Sequence, residues 1–292
     1  MHLGITGATG FIGRRVIDIA LRRGHEVVAF TRSPERALPG CEMRAFPLDA
    51  PPDLRGCEAV IHLAGESVVG LWTASKKRCI RESRVRGTQR VVAAIAMLDE
   101  PPEVLVCGSA VGFYPDSGDA ELTETSSSGS GFLSDTVRAW EAEAMKSART
   151  RVVLARTGIV LGKGGGALGA MLPIFKMGLG GRLGNGRQWM PWIHLEDEAR
   201  LLLFAVENLD VRGALNATAP WPVRNSEFTS ALARSLHRPA FLAVPAFILR
   251  LLLREFSREL LGSKRVLPAA AAAHGFGYRF PELAPALADI VA

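Results

Sequence analysis

Apolar and polar positions alternate along the first half of the chain in short runs that are separated by stretches of helical periodicity. Strands are predicted at His2–Thr6, Glu26–Thr31, Arg44–Leu48 (the weakest), Glu58–Ala64, Val104–Cys107 and Val152–Ala155. Glu58–Ala64 is nearly continuous in apolar residues, as expected of a strand that is buried on both faces. Helices are predicted over Phe11–Arg23, which Gly24 ends, and over Ser75–Leu98. This alternation indicates an α/β fold with a parallel sheet.

The second half of the chain has a different pattern. Lys163–Gly186 is dense in glycine around one short helix. Asp197–Asn208 is predicted to be a helix with Asp197 or Glu198 near its N-terminus. From about Trp221 the pattern is mainly helical, and the alanine run Ala269–Ala273 is predicted to be helix as well.

The segment Thr6 to Gly13 fits the pattern TGxxGxxG, between the first predicted strand and the first predicted helix. Gly7 allows a sharp turn off the strand, Gly10 lets the backbone approach a pyrophosphate, and Gly13 lets the helix pack close to the sheet. The N-terminus of the helix then offers free N–H groups and the positive end of its dipole to phosphates. This context predicts a dinucleotide-binding, Rossmann-type doubly wound parallel sheet.

We therefore expect an α/β protein with a smaller, mainly helical C-terminal substrate region. Residues 1–220 are expected to form the NAD(P)-binding domain, and residues 163–190 to contribute to the substrate region. Residues 221–292 are expected to form the helical C-terminal domain.

The end of the second strand favours NADP(H) over NAD. Enzymes that use NAD usually place an acidic residue there to bind the ribose 2′-hydroxyl. This chain instead has Thr31-Arg32-Ser33, with Arg36 one helical turn further on. Arg32 can pair with a 2′-phosphate that an acidic side chain would repel. The alternative is that Arg32 is an ordinary solvated surface residue.

Composition limits the other partners. The net charge is +6, but the basic residues are dispersed and aromatic residues are few, so no nucleic-acid partner is expected. Four scattered cysteines without CxxC spacing indicate a reducing compartment and no metal site. With no leader segment recognised, a cytoplasmic location is expected. The apolar stretch Phe241–Leu253 is too short to cross a bilayer, so we expect a buried or partner-facing helix and no membrane partner.

The glycine motif, together with His62-Leu63-Ala64-Gly65, resembles the extended short-chain dehydrogenase/reductase superfamily. More specifically, the chain resembles an atypical group labelled epimerase family protein or nucleoside-diphosphate-sugar epimerase-like, whose relatives also carry a cell-division-inhibitor label. The segments that carry this likeness are 156–162, 178–189, 192–197, 237–241, 260–263 and 275–281.

This resemblance implies a set of residues that bind the cofactor. Those expected at the pyrophosphate are Gly7, Thr9, Gly10, Phe11, Ile12 and Gly13. Thr31 and Arg32 are expected to meet the adenosine ribose and its phosphate, and Leu63 and Ala64 to line the cofactor path. Arg84 is expected on the helix that faces the cofactor, and Val160 near the nicotinamide.

The catalytic Tyr-x-x-x-Lys pair of the superfamily is missing. Tyr114 is followed four residues later by Gly118, and Tyr278 by Glu282. Leu133 and Val137 are expected at the two positions, and neither side chain can transfer a proton.

Three other side chains are candidates for the chemistry. Ser109 follows the fifth strand at the position of the superfamily's active-site serine, and could hydrogen-bond a substrate carbonyl or simply end the strand. Tyr114 is the only phenol near it, and is either a proton donor or an aromatic wall of the pocket. His194 could transfer protons near neutral pH or belong to the core. The side chains that could hold an acidic substrate or merely be solvated are Lys176, Arg182 and Arg187.

Two functions remain open at this point. The first is an NADP(H)-dependent oxidoreductase or epimerase acting on a small or nucleotide-linked carbonyl compound. The second is a non-catalytic module in which NADPH orders a surface for a protein partner or a second copy of the chain.

Overall fold

The computed structural model describes residues 1–47 and 49–292 of the protein. The strands are β1 (His2–Thr6), β2 (Glu26–Thr31), β3 (Cys41–Ala45), β4 (Ala59–His62), β5 (Val104–Ala110), β6 (Glu121–Leu122), β7 (Arg151–Thr157), β8 (Ile159–Leu161), β9 (Trp189–Met190), β10 (Trp192–His194), β11 (Gly213–Ala217), β12 (Val223–Arg224) and β13 (Arg265–Val266).

The α-helices are α1 (Phe11–Arg22), α2 (Ala74–Ala96), α3 (Phe132–Ala144), α4 (Gly166–Lys176), α5 (Leu195–Glu207), α6 (Asn225–Leu236), α7 (Ala246–Leu253), α8 (Ser257–Leu261), α9 (Ala269–Ala273) and α10 (Leu283–Val291). Short 3-10 helices lie at Val111–Phe113 and Arg254–Phe256. Among the described residues, no helix is both long and apolar enough to cross a membrane.

A seven-stranded parallel sheet in the order β11-β7-β5-β4-β1-β2-β3 forms the centre of the molecule. Helices α1 and α5 pack on one face of it, and α2 and α3 on the other. The chain winds outward from β1 to β3, then returns to β4 on the opposite side of β1. Ligands of doubly wound sheets bind where the order reverses, outside the carboxyl ends of the strands. The expected Rossmann-type fold is confirmed, and it places the binding crevice between β1 and β4.

The third strand differs from its prediction. It spans Cys41–Ala45 and pairs with Val27–Thr31, whereas the sequence pattern indicated Arg44–Leu48. As an edge strand it is only partly buried and carries no apolar run that would mark its start. Pro47 cannot donate to a sheet ladder, and Leu48 lies outside the described residues. The fourth strand is also shorter than predicted, because Leu63 and Ala64 leave the sheet to form the loop beside the glycine turn.

Helices α4, α6 and α10 enclose a further core with β8 and β10, centred on Trp192, Phe228 and Leu287. The C-terminal region is mainly helical, as expected, and Ala269–Ala273 is a helix. The domain boundary at residue 220 stays a prediction. The stretch Phe241–Leu253 is not a buried helix: only residues from Ala246 onward are helical, and Leu249 is the one buried residue of α7. The sheet faces are already covered by other helices, so this segment packs at the periphery.

Candidate functional site

The glycine turn after β1 is packed too tightly for side chains. Gly7 has a φ of 68°, and a Cβ there would lie 2.8 Å from the carbonyl carbon of Leu63. A Cβ on Gly13 would lie 2.3 Å from the carbonyl oxygen of Gly7. The backbone N–H of Gly10 donates to that same oxygen over 2.9 Å. The turn therefore brings the start of α1 directly against the carboxyl end of β1, as the spacing of the glycines predicts.

The N-terminus of α1 is free of competing groups. Gly10 precedes the helix without any capping side chain, and the first turn has no acidic residue. Thr9 is exposed and Ile12 is half-buried. This end of the helix therefore presents N–H groups and a positive dipole to an anion, which fits a pyrophosphate.

Phe11 has a second contact that the motif does not reveal. Its ring packs on the loop after β8, so that a Cβ on Gly165 would lie 2.6 Å from the Phe11 ring. A Cβ on the next residue, Gly166, would lie 2.8 Å from the carbonyl oxygen of Val160 and 3.0 Å from the Phe11 ring. The glycine turn and the Val160 segment are thus joined through Phe11, which brings two of the predicted cofactor segments together.

Thr6 and His62 fix the adjoining loop, and sequence reasoning did not single them out. Thr6 Oγ1 lies 2.6 Å from His62 Nδ1. The N–H groups of Leu63 and Ala64 also donate to Thr6 Oγ1, over 3.1 and 3.2 Å. Complete burial lowers the pKa of His62 to about 4, so its ring is neutral at physiological pH. In the sequence, both residues could have been recognised as the polar residues that end two otherwise apolar strands, β1 and β4.

The end of β2 carries no acidic residue. Thr31 is buried, and its Oγ1 accepts a hydrogen bond of 3.3 Å from the N–H of Ser33. Arg32 and Arg36 are exposed. Exposed guanidinium groups at this position suit a phosphate on the adenosine ribose, whereas a bare 2′-hydroxyl would be matched by a carboxylate.

Arg84 stabilises the loop after β4. Its Nη1 donates to the carbonyl oxygens of Glu66 and Ile80 over 2.8 and 3.3 Å, and the guanidinium lies 5.2 Å from the ring centroid of Trp140. Burial lowers the pKa of Arg84 to about 10, still well above neutrality. Arg84 therefore supplies a fixed positive charge beside Gly65, at the wall of the cofactor crevice.

Ser109 and Tyr114 both belong to one buried polar network. The hydroxyl of Ser109 donates to Glu141 Oε1 over 2.5 Å, and Arg156 donates to both oxygens of Glu141 over 2.8 and 2.9 Å. Arg156 Nη1 also donates to the phenol oxygen of Tyr114 over 2.9 Å, and the phenol donates to Asn216 Oδ1 over 2.7 Å. Four separate elements thus contribute to a single chain of hydrogen bonds.

These contacts change the chemistry expected of the two candidates. Neither hydroxyl is free, and the side chains are 5% and 2% exposed. Burial raises the pKa of Tyr114 despite the neighbouring cation, so the phenol stays protonated at neutral pH. Ser109 and Tyr114 are therefore placed as members of a fully hydrogen-bonded structural network, and not as an acid and a base that are free to exchange protons with a substrate. A direct catalytic role for either stays a prediction.

Helix α3 presents Leu133, Val137 and Glu141 at successive turns of one face. The side chain of Leu133 packs on Gly112, where a Cβ would lie 2.6 Å from it, and Val137 is fully buried. That the first two stand at the positions of the superfamily's tyrosine and lysine stays a prediction. Glu141, one turn beyond, is the charged residue that sequence reasoning missed. Glu141 could have been recognised in the sequence because it follows Val137 by four residues, as Val137 follows Leu133, and so lies on the same face of the helix.

A cavity of about 870 Å³ opens beside the start of α3. Its wall includes Trp72, Tyr114 and Phe132, and its rim carries the cationic side chains Arg250, Arg254, Arg258 and Lys264. The carboxylates of Glu255 and Glu259, also at the rim, are paired with Lys77 and Lys264. A third carboxylate at the cavity, Asp116, accepts from the N–H of Ser263 over 3.1 Å. Among the described ion pairs none involves the three arginines, so the rim has an excess of positive charge of four cations over three carboxylates.

The remaining candidates lie elsewhere. His194 caps α5, its Nδ1 accepting from the N–H of Glu196 over 3.1 Å, and burial lowers its pKa. The expected cap, Asp197, instead accepts from the N–H groups of Arg279 and Phe280 over 2.8 and 2.7 Å. Asp197 is buried beneath the C-terminal segment, and its carboxylate therefore links α5 to residues 279–280. The residues Lys176, Arg182 and Arg187 do not line the cavity. The described residues hold no group of three side chains suited to a metal.

Fold and crevice together define a dinucleotide-binding protein of the extended short-chain dehydrogenase/reductase type. Residues 3–217 match the NAD dependent epimerase/dehydratase family, and residues 244–290 match a domain of unknown function, DUF1731. The chain belongs to the NAD dependent epimerase/dehydratase family.

Relatives match over the whole chain. Epimerase family protein SDR39U1 of Bos taurus is 38% identical over all of both chains, and epimerase family protein YfhF of Bacillus subtilis is 36% identical over 100% of this chain and 98% of its own. A crystal structure of human epimerase family protein SDR39U1 with NADPH superposes with a TM-score of 0.93, at 37% identity and 99% coverage of both chains. The expected family is confirmed.

Proposed function

We propose that this protein binds NADPH and uses it to reduce a small carbonyl compound that carries a negative charge. The positive-rimmed cavity at the start of α3 is the observation that carries this proposal. A cavity of this size suits a small-molecule substrate. Three arginines without carboxylate partners among the described residues favour an anionic one.

The cofactor part of the proposal rests on chemistry that the residues present can supply. The uncapped start of α1 fits the pyrophosphate, and Arg32 fits a ribose phosphate. The human relative was crystallised with NADPH, which supports the same cofactor here. Bound NADPH would supply a hydride for the reaction.

Arg254 supports the substrate part. It lines the cavity and has φ 48° and ψ −125°, a backbone conformation rarely adopted by residues other than glycine. Such strain costs about 1–3 kcal/mol and tends to occur where a binding site requires it. Arg254 and Arg258 are therefore proposed to hold the anionic group of the substrate, and the hydroxyl network around Tyr114 to keep the cavity wall rigid. With Leu133 and Val137 in place of the usual pair, the proton is proposed to come from water in the cavity.

A second candidate is favoured by a specific observation. Because the hydroxyls of Ser109 and Tyr114 are both engaged in the buried network, the fold is also compatible with NADPH binding without catalysis. Binding of the dinucleotide would then order a surface for a partner.

One set of measurements separates the two. The purified protein would be titrated with NADPH and NADH by fluorescence, and NADPH oxidation followed at 340 nm with a panel of carbonyl compounds with and without a carboxylate or phosphate. We expect a preference for NADPH that Arg32→Ala removes, and turnover of anionic compounds whose KM rises in Arg258→Gln. Glu100→Gln, an exposed change remote from the crevice, is the control. Tight NADPH binding with no turnover of any compound would favour the non-catalytic function, and preference for NADH would refute the cofactor assignment.

A further inference from the structure

Two segments of the chain contain no acidic residue. Residues 163–192 carry four Lys/Arg and residues 237–254 carry three, and neither contains Asp or Glu. Together they hold a formal charge of +7, against +6 for the whole protein, so the other 244 residues are close to neutral. These two segments, which we call the basic lobe, therefore carry positive charge only.

The two segments of the basic lobe are paired with each other. The N–H of Gly184 donates to the carbonyl oxygen of Val244 over 2.8 Å, and the N–H of Val244 donates to that of Arg182 over 2.9 Å. Nε of Arg238 donates to the carbonyl oxygen of Lys176 over 3.1 Å. The two segments are thus joined directly, and Lys176, Arg182 and Arg238 lie at the junction.

The basic lobe also exposes large apolar side chains. Phe241 is 79% exposed, and on α7 Phe247 and Leu251, one turn apart, are 67% and 74% exposed. Further exposed members are Leu252 on α7 and Ile174, Met177 and Leu179 on the paired segment. Clusters of exposed apolar residues on a soluble domain mark interaction sites. Arg250 is exposed on α7, three residues after Phe247 and next to Leu251, and Arg254 follows directly after the end of the helix.

We propose that the basic lobe docks on an anionic lipid surface, with Phe241, Phe247 and Leu251 entering the headgroup region. Aromatic and leucine side chains beside arginines on a short amphipathic helix have the chemistry of a peripheral membrane contact. Each cation near an anionic surface strengthens binding about fivefold. A nucleic acid would use the cations but leave the apolar side chains in water, and an apolar protein partner would leave the acid-free charge unmatched. This proposal departs from the expectation of no membrane partner. It shares Arg250 and Arg254 with the rim of the cavity, but it does not require that any reaction takes place there.

The test is sedimentation of the full-length protein with vesicles of phosphatidylcholine alone or mixed with phosphatidylglycerol. The variants are Phe247→Glu and Leu251→Glu, with Leu209→Glu as the matched control, because Leu209 is 64% exposed but lies outside the basic lobe. We expect binding only to the anionic vesicles, reduced at least about tenfold in each α7 variant, unchanged in the control and weakened by salt. NADPH titration and circular dichroism of each variant check that the fold is kept.

The proposal is overturned if the protein fails to sediment with anionic vesicles at low salt. It is overturned equally if Phe247→Glu and Leu251→Glu bind like the control, since binding would then rest on charge alone. Binding to duplex DNA that matches vesicle binding in strength and does not depend on Phe247 would identify a nonspecific polyanion site instead. If the wild-type protein self-associates and the α7 variants are monomeric without any effect of lipid, the lobe is an interface between two copies.

Discussion

Stability should fall between pH 6.5 and 8 because Glu198 is buried without a cation. Its side chain is fully buried, Oε1 accepts from the hydroxyl of Thr157 over 2.8 Å, and Oε2 has no partner among the described residues. Burial raises the pKa of this carboxyl from 4.5 to about 8. The folded protein therefore keeps a proton on Glu198 at pH values where the unfolded chain has lost it.

The sign and size of the effect follow from that difference. Where the folded state binds one more proton than the unfolded state, the free energy of unfolding falls by about 1.4 kcal/mol per pH unit. The stabilisation is complete below pH 4.5 and is lost as pH rises to about 8. His62 acts in the opposite direction, because burial lowers its pKa from 6.5 to about 4, but its contribution ends above pH 6.5. The net loss between pH 6.5 and 8 is therefore about 2 kcal/mol.

Glu198→Gln isolates this contribution. The amide keeps the bond from Thr157 and cannot ionise, so the variant and the wild type should differ by an amount that changes with pH. Between pH 5 and 8 this difference in the free energy of unfolding should change by about 4 kcal/mol in favour of the variant. The assay is urea unfolding followed by circular dichroism at several pH values, with Glu100→Gln, an exposed change, as the control. If the difference between Glu198→Gln and wild type stays constant with pH, the carboxyl ionises normally and the argument from burial fails.

Two further substitutions test the network and the glycine turn. Glu141→Gln leaves a buried guanidinium without its carboxylate and should lower the free energy of unfolding by about 3–5 kcal/mol in urea, whereas Ser109→Ala should cost about 1 kcal/mol. An equal loss in the two variants would mean that the ion pair is not the centre of the network. Gly13→Ala places a Cβ 2.3 Å from a backbone oxygen and should weaken NADPH binding about tenfold or more by fluorescence titration. Gly169→Ala, in open space on α4, is its control, and equal affinity in both variants would contradict the packing argument.

The sequence predicts the central sheet well because its strands are buried on both faces. Continuous apolar runs such as Val104–Cys107 are recognisable without knowledge of their neighbours. The edge strand Cys41–Ala45 is partly exposed, and only its hydrogen bonds to β2 define its limits. For the apolar run Phe241–Leu253 the buried alternative was wrong and the partner-facing one stays a prediction, since burial of a helix depends on free space against the core and not on its own composition.

The cofactor residues and the catalytic candidates differ in how far apart in the sequence the residues that determine their geometry lie. The glycine turn lies within eight consecutive residues, so its geometry follows from its spacing. The environment of Tyr114 depends on Asn216, which is 102 residues further along the chain, and on Arg156 in the neighbouring strand. A linear pattern identifies the phenol, but only the folded structure reveals that its hydrogen bonds are already satisfied.

The arrangement around α3 has a chemical consequence beyond the loss of a tyrosine and a lysine. A phenol beside a cation, the combination that proton transfer in this superfamily requires, still exists as Tyr114 and Arg156, at 2.9 Å. Here the cation is shared with Glu141, which neutralises it, and the phenol proton is directed at Asn216. The pKa of Tyr114 is accordingly raised by burial instead of lowered by its neighbour. A phenol in this state cannot act as a base at neutral pH. Net reduction with a proton from water therefore fits the site better than reversible epimerisation, which needs a base and an acid in turn.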